Sequence, residues 1–147
     1  MAVQDVREMK DLVLNMAVDV MNDRKLDDLS KYYTDDCVTH FADQRPDTHG
    51  IEGVKTNWED VFQGFPDFMA DLDHVVAEGD KICGHFTYKG THDGEFLGME
   101  PTNKAAKISG MTMYRFEDGK IAESWVHTDF LGLMQQLGLA PMPGEQA

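Results

Sequence analysis

Asp118-Gly-Lys-Ile-Ala-Glu-Ser-Trp-Val-His-Thr-Asp129 is the stretch that decides how this chain folds. Its first two residues are a turn signal, and the ten after them alternate with the two-residue period of a strand rather than the longer period of a helix. On that period Ile121, Glu123, Trp125, His127 and Asp129 share one face, and Ala122, Ser124, Val126 and Thr128 share the other. The second face is small and moderately apolar, as suits packing. The first ends in an indole, an imidazole and a carboxylate, which points to a lined pocket rather than to open solvent.

Outward from this stretch, the neighbouring segments are also strands. Ala105 to Phe116 leads into it through the turn Glu117-Asp-Gly119, and Phe68 to Glu78 is joined to Lys81 to Lys89 by Glu78-Gly-Asp80. A Gly- and Pro-punctuated loop, Gly90 to Asn103, lies between these hairpins. The N-terminal part is different. Val6, Met9, Leu12, Val13, Met16, Ala17 and Val20 recur at helical spacing, with Asp5 placed to cap them. Lys25 to Tyr33 repeats that pattern more briefly. A short strand, Cys37 to Phe41, then turns Val38 and His40 one way and Cys37, Thr39 and Phe41 the other.

After a polar loop, Asp43 to Gly50, Ile51 to Phe62 reads as a third helix, stopped by Gln63-Gly-Phe-Pro66 because proline cannot continue the hydrogen-bond ladder. A last short helix, about Phe130 to Leu137, ends at Gly138. Three helices ahead of long antiparallel strands predict an α+β domain, a cone-shaped curved antiparallel sheet packed against the three N-terminal helices. The open end of such a cone is a pocket. The 147 residues fit a single domain, 1–147 with a core of about 5–138.

Thirteen basic residues against twenty-seven acidic ones give a net charge of −14, which repels phosphate backbones and anionic membrane surfaces. Nucleic acid and membrane are therefore not expected partners. Cys37 and Cys83 have no metal or redox spacing and read as reduced core thiols. Neither an export signal nor an apolar run of ~18 residues appears, so a cytoplasmic protein is expected.

Asp129 and His127 lie two residues apart on one strand face. A carboxylate beside Trp125 would have its charged form disfavoured by desolvation, which readies it as an acid or base near neutral pH. Equally, Asp129 suits the N-cap of the helix that begins at Phe130. His92, between Gly90 and Gly94, can swing over a pocket rim. His40 faces with Val38 and needs a hydrogen-bond partner. His74 and His85 lie in long strands and fit either face. Trp58, Phe62 and Phe96 are expected at the mouth of the cone with Trp125, where aromatic surface suits a flat, partly apolar small molecule. With no His-Glu-x-x-His, His-x-His or Cys/His cluster, no metal is expected. The chain also lacks Gly-x-Ser-x-Gly, Gly-x-Gly-x-x-Gly and Walker loops, so neither a serine nucleophile nor a nucleotide cofactor is expected.

The segment Gly90-Thr-His-x-Gly-x-Phe-x-Gly98 with Pro101-Thr102, then Arg115-Phe-x-Asp-Gly-Lys-Ile-x-Glu-x-Trp125, Asp129 and Gln136-Leu-Gly138, resembles the SnoaL-like polyketide cyclases of the nuclear transport factor 2-like superfamily. His40 and Gly50-x-x-Gly53 support it. The resemblance implies a conical α+β fold and ring closure by intramolecular aldol condensation without cofactor or metal, with Asp129 as acid/base and His127 at a pocket position. The expected function is thus a cofactor-independent cyclase or isomerase working next to a carbonyl of a small polyketide-like molecule. The alternatives are a non-catalytic small-molecule-binding or dimerisation domain, and epoxide hydrolysis through an Asp-Arg-Asp arrangement. The last is weakened because Arg115, the one arginine in the long strands, shares its face with Lys107 and Ser109. Met111 and Met113 would leave an apolar patch on the open sheet face, so a homodimer or homotetramer is expected.

Overall fold

The computed structural model describes residues 5–42 and 44–145. Outside them lie Met1 to Gln4, part of the segment read for an export signal, and Asp43, the head of the polar loop. Helix α1 (Val6–Met16) starts where Asp5 accepts hydrogen bonds from the N–H groups of Arg7 and Glu8, and it buries Met9, Val13 and Met16. It runs on into a π-helical segment, Ala17–Asn22, that turns Ala17, Val20 and Met21 inward. The apolar stripe read from the sequence therefore continues through a change of helix type.

The second expected helix is instead a 3-10 segment, Leu26–Lys31, with Leu29 as its buried residue. Two turns are too few for an α-helix to offset the cost of its nucleus, and Tyr33 is already drawn into the sheet. Strand β1 (Tyr33–His40) consequently begins four residues earlier than Cys37. The polar loop contains a further short strand, β2 (Thr48–His49), paired antiparallel with Val38 and Thr39. Helix α2 (Gly50–Gly64) follows, then β3 (Met69–Glu78), β4 (Lys81–Thr91), β5 (Ala105–Glu117), β6 (Lys120–Thr128) and helix α3 (Phe130–Gln136).

The six strands form one curved sheet in the order β2-β1-β6-β5-β4-β3, and only β1 and β6 run parallel. Its concave side holds the core with α1 and α2, through Ile82, Phe86, Tyr114, Phe116 and Ile121. The convex side is open, with Val76, Met111 and Met113 exposed.

A β-bulge decides which residues face which way. Arg115 pairs with Glu123 but Phe116 pairs with Ile121, so β6 carries an extra residue at this point. Ile121 and Ala122 are both buried, and from Glu123 onward the alternation restarts. Ile121 therefore does not share a face with Glu123, Trp125 and His127, contrary to simple alternation. Those three lie on the convex side, opposite Arg115, Met113 and Met111. Ser124, Val126 and Thr128 look into the cone.

Candidate functional site

The concave sheet, α2 and α3 enclose a cavity of about 190 Å³. Strand β6 contributes Ser124, Val126 and Thr128, β5 contributes Ala106, Ile108, Thr112 and Tyr114, and β1 contributes Tyr33 and Thr39. Trp58 and Val61 of α2, with Phe65, Phe68 and Phe96, make the aromatic side. The small side chains of β6 are what leave the space. The face that read as mere packing material is the cavity wall, because a void needs small residues while large ones would fill it.

The loop between β4 and β5 closes the aromatic side. Gly94 donates its N–H to the Gly64 carbonyl at 3.1 Å, and a Cβ there would lie 1.9 Å from the Gln63 carbonyl oxygen. Only glycine permits so close an approach to the end of α2. Gly64 in turn leaves room for Phe96, whose ring meets Phe65 edge-on at 5.3 Å. The strand-like ends of the loop are knitted by His92 N–H to the Lys104 carbonyl and Asn103 N–H to the His92 carbonyl.

Trp58 and Phe96 line the cavity, whereas Phe62 stands one layer out, stacked on Trp58 at 5.9 Å and covered by the Arg24 guanidinium. His92 is fully buried behind the wall. Its ring stacks on Phe65 at 5.4 Å, and its Nδ1 meets the Thr102 hydroxyl at 3.1 Å and accepts from the Thr102 N–H at 3.3 Å. It is not a rim residue, because both ends of its loop are held inside. The His92–Thr102 contact gives the Thr-His and Pro-Thr pieces of the sequence pattern a shared structural task.

His40, Trp125 and His127 are on the other side of the sheet. His40 stacks on Trp125 at 5.6 Å and bridges two carboxylates, Glu123 at 2.7 Å and Asp47 at 2.8 Å. The Glu123 hydrogen bond, with Asp47 behind it, raises the His40 pKa above its ordinary value despite some desolvation. Glu123 is held lower than usual, first by His40 and then by Arg115. His127 is exposed beside Met111. Arg115 is likewise turned away from the cavity, bound to Glu123 at 3.1 Å and Glu117 at 2.8 Å, so no Asp-Arg-Asp set forms around it there.

Asp129 is the N-cap of α3. Its carboxylate accepts from the Gly132 N–H at 2.9 Å, and a Cβ on Gly132 would collide with it. The residues on either side, Thr128 and Phe130, both line the cavity, whereas Asp129 itself does not and its carboxylate is exposed. Among the described residues that line the cavity there is no Asp, Glu or His. Its polar wall is made of hydroxyls, amides and two cations, Lys89 and Arg45, the latter over the Phe41 ring at 4.2 Å and hydrogen-bonded to Asn57. Burial pulls the Arg45 guanidinium below its ordinary value, partly offset by Asp60. Sequence reasoning passed over Ser124, Thr39, Thr112 and the buried tyrosines. For Thr112 and Tyr114 the one signal was the alternation along β5.

Cys37 is fully inside the core, its thiol pushed up to about 11 by burial and then by the charge of Asp36, which leaves little thiolate for nucleophilic chemistry. Cys83 is only half-buried and faces the convex side beside Met113, so it is not the core thiol that its strand position suggested. Among the described residues no three His, Cys, Asp or Glu side chains are grouped to hold a metal ion, and no helix is long and apolar enough to cross a membrane.

A cone of this topology, closed by a Gly-rich loop and a C-terminal helix over an aromatic cavity, is the nuclear transport factor 2-like fold. The chain belongs to the SnoaL-like polyketide cyclase family, whose model matches residues 11–137. Among solved structures it is similar to AclR of Streptomyces galilaeus, a candidate hydroxylase, at 30% identity and a TM-score of 0.81, covering 95% of this chain and 87% of that one. It is also similar to IdmH of Streptomyces antibioticus, a candidate polyketide cyclase, at 28% identity and a TM-score of 0.76 over 88% of this chain and 98% of that one. A SnoaL-like protein of Jannaschia sp. CCS1 shares the fold at a TM-score of 0.83 and 24% identity, covering 94% of this chain and 99% of that one. No curated protein matches the sequence.

Proposed function

We propose that this protein is a cyclase-type enzyme that closes a ring in a small, flat, polyketide-like carbonyl compound held in the cavity, with Asp129 as the proton-transfer group. The observation that carries this reading is that the chain neighbours of Asp129, Thr128 and Phe130, both line the aromatic and hydroxyl-bearing cavity. In the reaction the Asp129 carboxylate takes a proton from carbon next to a carbonyl, and the C–H electron pair becomes the enolate. The enolate carbon then attacks a second carbonyl carbon of the same molecule. The new alkoxide recovers the proton from Asp129, so one group serves as base and then acid. The helix-capping bond uses Oδ1, which leaves Oδ2 for this work.

His127 faces away from the chamber and takes no part in this scheme. Donors to the developing oxyanion come instead from the wall hydroxyls. A second reading, a binding domain without chemistry, is favoured by the lack of any acid or imidazole among the described lining residues.

Asp129→Asn separates the two. Asn caps helices as well as Asp, so folding should be preserved. A screen of small carbonyl compounds and polyketide-like esters should show turnover about 10²–10⁴-fold lower in the variant, the scale for losing a general acid/base. Equal turnover in both proteins refutes the role of Asp129. Binding without turnover in the wild type supports the second reading.

A further inference from the structure

Ser124 is a buried hydroxyl that the described residues leave without a partner. It is 2% exposed, lines the cavity, and its Oγ makes no hydrogen bond among the described residues. A hydroxyl shut away from water in this way costs stability unless something completes it. Its neighbours repeat the chemistry. On the concave face Ser124 is paired with Thr39 of β1 and Tyr114 of β5, both buried and both lining the cavity. One step along the same face of β5 stands the buried Thr112, which also lines the cavity with Tyr88 and Tyr114.

We propose that Ser124, flanked by Thr39 and Tyr114, is the seat for the substrate's carbonyl oxygen, and that the ligand is an uncharged flat ketone or quinone bound oxygen-first. Its apolar body then lies against the aromatic side of the cavity, Trp58, Phe65 and Phe96. This assignment rests on the reading of the cavity as a substrate site and names the chemistry it selects. Three features favour it over an anionic ligand. The cations of the lining, Arg45 in the loop after β1 and Lys89 of β4, stand off the two strands paired with Ser124, where its partners are Thr39 and Tyr114. The tyrosine phenols near it remain protonated, because burial holds Tyr33, Tyr88 and Tyr114 well above the usual range, so they act as neutral donors. Finally, Ser124 can donate to a carbonyl lone pair without breaking any bond in the empty protein.

The test compares 1-tetralone with tetralin, molecules of closely similar shape with and without the oxygen. Their dissociation constants are measured by calorimetry on the wild-type chain, Ser124→Ala and Asp129→Asn, alongside melting of each ligand-free protein. The wild type should prefer the ketone by about tenfold, the scale of one hydrogen bond in a buried site. Ser124→Ala should lose most of that preference, bind tetralin as before, and melt no lower than the wild type, since a group without a partner contributes nothing to the empty fold. Asp129→Asn should keep the preference, because the carboxylate is exposed and does not line the cavity. A Ser124→Ala protein that retains the full ketone preference, or that melts several degrees lower, overturns the seat alone and leaves the cavity as a binding site. Failure of both ligands to bind the wild type overturns the seat and the substrate-site reading together.

Discussion

Gly94 shows how much one residue decides here. Placed against the Gln63 carbonyl, it lets the loop press on the end of α2, and a methyl group at that position meets backbone that cannot rotate away. Gly94→Ala should lower stability by about 1–3 kcal/mol, the range for overpacking, as a fall in the urea midpoint. An unchanged midpoint would show that the loop is free to shift. His127 is the opposite case. It is exposed on the convex side, so His127→Gln should leave turnover within about twofold, the size of a surface effect below ~0.5 kcal/mol. A loss as large as that of Asp129→Asn would mean that the convex face carries chemistry. The pair Asp129 and His127 was legible as two polar residues on strand spacing. That Val126 and Thr128, not this pair, line the cavity was not legible, because spacing gives faces without saying which face is inside.

At the scale of elements, the parallel contact of β1 with β6 is braced by His40 between Asp47 and Glu123. The folded His40 pKa is raised, so its contribution is complete below the ordinary value of 6.5 and fades as pH rises through the folded value. Glu123 is lowered, so its contribution is complete above 4.5 and is lost as pH falls through its folded value. The brace is therefore strongest between those limits. Both side chains are about a quarter exposed, at 29% and 25%, which limits the effect to roughly 1 kcal/mol or less. Denaturation of wild type and His40→Gln from about pH 5.5 to 9, a range spanning the ordinary histidine value, should show the wild type losing its advantage as pH rises. Parallel curves would remove His40 from the stability of this strand pair. Element type was readable for the long strands, α1 and α2, where the pattern repeats over several periods. Lys25 to Tyr33 was not, since a short apolar pattern supports a 3-10 turn as well as a helix.

For the molecule as a whole, the convex face is the feature that calls for a partner. Val76, Cys83, Met113 and Trp125 form one row across four adjacent strands, and Met111 stands beside it. Val76 is 64% exposed and Met111 49%, more apolar surface than a lone chain usually leaves in a row. We expect two copies to cover it face to face. Light scattering at micromolar concentration should report a dimer or higher symmetric oligomer, and Met111→Glu with Met113→Glu should return a folded monomer. Moderate salt should strengthen the assembly by screening the −14 charge on each chain. A monomeric wild type would refute the expectation.

The sequence by itself determined the class of fold, because hydrophobic period and turn residues are local and repeat along each element. It also determined the family likeness, through Gly, Pro, His and Trp positions such as Gly94 and His92 whose roles are mostly to build the scaffold. The tertiary structure alone decided where the inside lies. One extra residue at Ile121 and Ala122 resets the alternation of β6, and the curvature of the sheet then turns Ser124, Val126 and Thr128 into the cavity while Trp125 and His127 face out. The physical reason is that facing is set by pairing with Phe116, Arg115 and Tyr114 on another strand, and pairing across the sheet is not written in any local pattern.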